Sequence, residues 1–166
     1  MAARPVSIVP SVLPADFSRL GDECIALEKA GVDRIQWDVM DGQFVPNLTF
    51  GPDVIAACRS AVTIPFEAHL MVNTPEVLAE RYVEAGCNLL LVHVESTVHL
   101  HRTLGAVAEA GARAAVALNP STPIDRIPMP LAIRNSRRSV TSHFADRPFP
   151  SPASKYSRDP AGGRIV

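Results

Sequence analysis

The 166-residue sequence has no excess of charge of either sign. Its 16 basic and 17 acidic side chains leave a formal net charge of −1. No overall electrostatic pull toward nucleic acid or an anionic membrane follows from that balance. Clustered cysteine is absent as well. Cys24, Cys58 and Cys87 stand far apart, and no pair has metal-ligand or redox-motif spacing. They read as small apolar core residues of a reducing compartment. No apolar run approaches the ~20 residues of a membrane helix. The opening Met1-Ala2-Ala3-Arg4-Pro5 has no apolar stretch of signal-peptide length. A cytoplasmic protein is expected, with no nucleic-acid or membrane partner.

What is present is uneven along the chain. Residues 1–127 carry nine basic against fifteen acidic side chains, and residues 128–166 carry seven against two. A change of sign on this scale marks a change of structural class. The second segment holds six Pro, six Ser and six Arg and shows neither a 3.6 nor a 2.0 period. It has too little apolar surface to offset its ordering entropy, so a disordered tail is expected over 128–166.

Residues 1–127 repeat themselves. Glu28-Lys29-Ala30-Gly31, Glu84-Ala85-Gly86 and Glu109-Ala110-Gly111 each lead into a short apolar run. Glycine ends a helix in the left-handed conformation at low steric cost. The run after it suits a buried parallel strand. Phe17, Leu20, Cys24 and Leu27 recur on one helix face, with Asp16 as a cap. Thr74-Pro75-Glu76 reads as another helix start, and Asp53–Ser60 as a third helix. Strands are expected at about 6–11, 34–39, 66–70, 89–94 and 114–118. The repeat of about 25–27 residues per unit suits a (β/α)₈ barrel, which uses roughly 25–31. The predicted fold is therefore α/β: an incomplete TIM barrel of about five parallel strands with outer helices over 1–127.

In such a fold the chemistry sits at the C-terminal strand ends. Side chains alternate along a strand, so Gln36, Asp38 and Met40 share one face, as do Glu67, His69 and Met71. An Asp and a His on adjacent strand ends can share a divalent cation; a buried His bonded to a carboxylate is the plainer alternative. His93 and Glu95 read as structural by the same criterion. His99 and His101, at a helix start, read as solvated.

Four motifs then stand in order: Pro10-Ser11-Val12-Leu13-Pro14-Ala15-Asp16-Phe17, the run from Asp38-Val39-Met40-Asp41-Gly42 to Thr49-Phe50-Gly51, His69-Leu70-Met71-Val72, and Asn119-Pro120-Ser121-Thr122-Pro123. Together they resemble the ribulose-phosphate 3-epimerases over about residues 5–127. The resemblance implies interconversion of D-ribulose 5-phosphate and D-xylulose 5-phosphate by proton transfer at carbon 3. One Asp acts on each face, and one divalent metal ion of the zinc, iron, manganese or cobalt class offsets the developing charge. Asp38 matches the first catalytic Asp, which is also a metal ligand. His69 matches a ligand that also meets substrate. Ser11, Met40 and Met71 match substrate-contacting positions. Gln36 stands where the family has a second ligand His, and an amide oxygen is a weaker ligand.

The second Asp and the Gly-rich phosphate loop of the family have no counterpart in 128–166, so impaired activity is expected. A pentulose 5-phosphate is the implied partner, and a homo-oligomer is left open. Two other readings compete. One is a non-catalytic remnant or interaction protein that pairs through an open sheet edge. The other is a different phosphate-binding barrel enzyme, such as one of tryptophan biosynthesis, against which the Asp38–Gly51 run speaks.

Overall fold

A computed structural model describes residues 6–127 and the backbone of 140–142. Five parallel strands form one sheet in sequential order: β1 (Ile35–Met40), β2 (Phe66–Met71), β3 (Cys87–His93), β4 (Arg113–Leu118) and β5 (Val140–Ser142). Helix α1 (Leu20–Lys29) precedes β1, and α2 (Pro52–Arg59), α3 (Ala79–Glu84) and α4 (Leu100–Glu109) link the next strands in turn. Gly31, Gly86 and Gly111 close α1, α3 and α4 with φ of 81°, 96° and 99°, the conformation that the Ala-Gly repeat predicted.

Two expectations about strands need correction. The stretch 6–11 is not a strand; it meets β1 through one isolated bridge, Ser11 to Gln36. Its carbonyls at Ile8 and Pro10 accept from Asp33 and Gln36 at 2.9 Å each. Pro10 has no N–H to return, so the ladder breaks there. The second correction is β5. It pairs with β4 from Val116↔Val140 to Leu118↔Ser142, inside the segment expected to lack regular structure. Three residues are too few to show a period, and an unpaired strand edge recruits any short β-prone stretch. The rest of the predicted tail lies outside the described residues.

The helices differ in detail. Asp16 caps as expected, its Oδ1 accepting the Ser18 N–H at 2.9 Å, but the first turn is 3₁₀ and α1 proper begins at Leu20. Thr74 makes no side-chain cap; it sits at φ 51°, Pro75–Val77 form a 3₁₀ turn, and α3 starts at Ala79.

The sheet has two unlike faces. Ile35, Trp37, Val39, Phe66, Leu70, Leu90 and Val92 point toward the helices and form the main core with Leu20, Cys24, Ile55, Tyr82 and Leu104. The opposite face carries Gln36, Asp38, Glu67, His69 and His93, with a small apolar cluster of Leu89, Leu91 and Ala115. Alternation thus separates packing from chemistry residue by residue.

All three cysteines are free and buried. Burial raises the thiols of Cys24 to about 11 and Cys87 to about 12, and also raises Cys58. From an ordinary value near 9, a rise to about 11 leaves about 100-fold less thiolate at neutral pH. Reaction with a disulfide reagent is expected to be at least that much slower in the native chain than in denaturant. Equal rates in the two states would contradict this burial.

Candidate active site

The strand register assembles the site. Gln36 pairs with Glu67, Asp38 with His69 and Met40 with Met71. The pairs therefore stack in three layers toward the C-terminal strand ends, and all six side chains are buried. Asp38 is the hub. The Ser11 hydroxyl donates to its Oδ2, the Gln36 amide nitrogen donates to Oδ1 at 2.8 Å, and His69 Nδ1 stands 3.1 Å from Oδ1. Burial pushes the Asp38 carboxyl up, but His69, Ser11 and Gln36 outweigh it, and the net shift is downward. A carboxylate held ionised at a strand end is free to accept a proton, although these hydrogen bonds make it a weaker base than one whose affinity lies near neutral pH.

The resembling motifs acquire physical roles here. Asp41 Oδ1 accepts the N–H groups of Gln43 and Phe44 at 2.8 Å, and its Oδ2 accepts that of Asn73 at 2.7 Å. It thereby ties the loop after β1 to the loop after β2. Thr49 donates to the Asp38 carbonyl at 2.7 Å and accepts the Met40 N–H at 3.0 Å, which fixes the backbone under Asp38. A cavity of about 270 Å³ opens beside Met40, lined by Asp41, Phe50, Asn73, Thr74 and Tyr82 among others. Asp38 and His69 do not line it.

Sequence reasoning missed one connection. His69 Nε2 lies 2.8 Å from His93 Nε2, and the two rings stack at 5.0 Å. His93 Nδ1 lies 3.3 Å from Glu95 Oε2, and Glu95 Oε1 accepts the Asn119 N–H at 2.8 Å. So the Asn119–Pro123 motif reaches the site through Glu95. The signal was parity: Leu89, Leu91 and His93 alternate onto the face that carries His69, but only the register shows which of them meets it. His99 and His101 are exposed, as expected.

Could these residues hold a divalent ion? Two ligands each about 2.1 Å from one ion at roughly a right angle are about 3 Å apart. The 3.1 Å between Asp38 Oδ1 and His69 Nδ1 fits one edge of such a sphere. Gln36 directs its amide nitrogen at Asp38, so in this orientation it offers no ligand atom there. Among the described residues no group of three or more His, Cys, Asp or Glu could hold an ion. The pair fits as half of a site.

Fold and site together define the class: a βα-barrel-type protein with a buried, hydrogen-bonded carboxylate at the C-terminal ends of its parallel strands. Solved structures agree on the fold. KGPDC from Streptococcus mutans in complex with D-R5P superposes with TM-score 0.55 at 15% identity, covering 73% of this chain and 59% of that one. The tryptophan synthase alpha chain of Legionella pneumophila superposes with TM-score 0.52 at 16% identity, covering 72% and 54%. At such identities the likeness shows the fold alone.

The chain belongs to the ribulose-phosphate 3-epimerase family, whose model matches residues 7–132. It is 46% identical over 124 residues to the ribulose-phosphate 3-epimerase of Rhodobacter capsulatus, 75% of this chain and 54% of that protein. It is 44% identical over 122 residues to that of Bacillus subtilis, 74% and 56%. The chain thus spans about half the length of the curated relatives it matches. Membership disposes of the tryptophan-pathway reading. Members of this family generally bind a divalent metal. No helix among the described residues is long and apolar enough to cross a membrane.

Proposed function

We propose that the chain carries one proton-transferring half of a site that interconverts D-ribulose 5-phosphate and D-xylulose 5-phosphate. The observation that carries this reading is the ionised, buried Asp38 held by Ser11, Gln36 and His69 at the end of β1. In this reading Asp38 exchanges the carbon-3 proton on one face. The Ser11 hydroxyl, already bonded to Asp38, orients both the carboxylate and the substrate. Met40 and Met71 form a thioether wall one layer above and exclude water from the reacting carbon. His69 holds Asp38 from the next strand through its Nδ1, and its Nε2 meets His93.

Asp38 and His69 are the residues that would hold the family's divalent ion, which when bound supplies Lewis-acid stabilisation of the developing negative charge. Zinc or manganese titrated into the chain in a calorimeter is expected to bind weakly, because the pair is half a coordination sphere. Asp38→Ala combined with His69→Ala is expected to remove the heat of binding. Micromolar or tighter binding that survives the double substitution would place the ion elsewhere. Turnover of ribulose 5-phosphate, lost on Asp38→Ala, tests the proton-transfer role.

A further inference from the structure

We propose that Glu95 is a positioning residue of this site and acts through His93. The inference rests on the epimerase reading for its purpose, and on geometry for its substance. A line of contacts crosses the sheet from Ser11 to Asp38, His69, His93, Glu95 and the backbone of Asn119. It joins the segment before α1, three strand ends and the loop after β4. Each member fixes the next. His69 spends one ring nitrogen on Asp38 and the other on His93. His93 spends its far nitrogen on Glu95, while the Phe44 ring packs at 4.9 Å against its imidazole.

At 2.8 Å one Nε2 carries the hydrogen and the other offers its lone pair. Which ring plays which part is set by what each Nδ1 meets. Asp38 stands at one end and Glu95 at the other, so Glu95 has a say in where the proton sits on His69. Glu95 is itself held: its Oε1 takes the Asn119 N–H at 2.8 Å. The loop after β4 thereby reaches Asp38 without touching it. Residues that orient a ligand-bearing histidine in this way typically matter about 10–100-fold to metal affinity or activity.

The test compares Glu95→Ala and Glu95→Gln with the parent chain. The side-chain ¹⁵N signals of His69 and His93 in long-range correlation spectra report ring tautomer and hydrogen bonding. They need neither substrate nor metal. Glu95→Ala is expected to move the signals of both rings and to weaken zinc binding about 10–100-fold. Glu95→Gln keeps an acceptor oxygen and is expected to shift the signals the same way by less. Glu28→Gln serves as the structural control: Glu28 accepts the Thr63 and Ile64 N–H groups far from the site. It is expected to lower stability and leave both histidine signals in place.

Unmoved His69 signals in Glu95→Ala would overturn the proposal, whatever happens to stability. If that variant does not fold, unmoved His69 signals in Glu95→Gln would overturn it equally. A parent chain that takes up no zinc and turns over no substrate would remove the epimerase reading. The ring signals would still decide the positioning role.

Discussion

The 166-residue chain is expected to turn over ribulose 5-phosphate about 10²–10⁴-fold more slowly than a full-length relative, the usual worth of one positioned acid or base. Epimerisation takes a proton from one face of carbon 3 and returns one to the other. Asp38 lies on one strand end and can serve one face. Among the described residues no second carboxylate stands ready for the other. Glu67 shares the sheet face with Asp38 but sits a layer below it. It pairs with Arg34 at 2.9 Å as an ion pair rather than an aligned hydrogen bond, and burial raises its carboxyl against the pull of that guanidinium. Glu95 is committed to His93 and the Asn119 N–H.

The expected loss grows if substrate is held only at its reacting end, since remote binding energy is what orients the carbon. A coupled assay for xylulose 5-phosphate measures it, with the Rhodobacter capsulatus enzyme as reference and Asp38→Ala as control. Turnover within about tenfold of the reference, or about 1.4 kcal/mol of barrier, would defeat the prediction if Asp38→Ala abolished it. A second proton-transferring group would then have to come from residues 128–166 or from another copy.

Much of this arrangement was legible in the residues themselves. The Ala-Gly pairs placed three helix ends, because a left-handed residue after a helix leaves a strong compositional mark. Alternation placed Asp38 and His69 on one face of adjacent strands. His93 was not legible, and the reason is local. Between Phe66 and Glu67 the β2–β3 register shifts, so that Phe66 faces Cys87 but Glu67 faces Leu89. That irregularity decides which residue of β3 rises to meet His69, and no periodicity announces it. Pro10 hid the failure of the first strand, since the carbonyl side of its ladder forms normally. Val140–Ser142 were hidden for the opposite reason, because their pairing depends on the free edge of β4 rather than on their own pattern.

Trp37→Ala is expected to be the most damaging single substitution in the described core, costing about 3–5 kcal/mol. Trp37 stands in the middle of β1 between Gln36 and Asp38 and points to the opposite face. It is fully buried, with Phe50 and Phe66 edge-on at 5.3 Å on two sides. Phe50 in turn carries Phe17 at 5.1 Å, so one indole links the segment before α1, β1, β2 and the loop before α2. Removing it leaves a large cavity among rings that cannot close over it, because each is held by its own strand or turn. Its Nε1 has no hydrogen-bond partner among the described residues, so the substitution relieves one buried donor and recovers a small part of the loss.

Trp37→Phe keeps most of the ring contact and drops that donor, and is expected to cost much less. Domain stabilities run to about 5–15 kcal/mol, so Trp37→Ala falls near the limit of folding. Urea unfolding followed by circular dichroism measures both variants. Because β1 also carries Asp38, the Ala variant is expected to lose the His69–His93 ring signature with the fold, and the Phe variant to keep it. A Trp37→Ala chain as stable as the parent would mean that the aromatic cluster does not anchor β1.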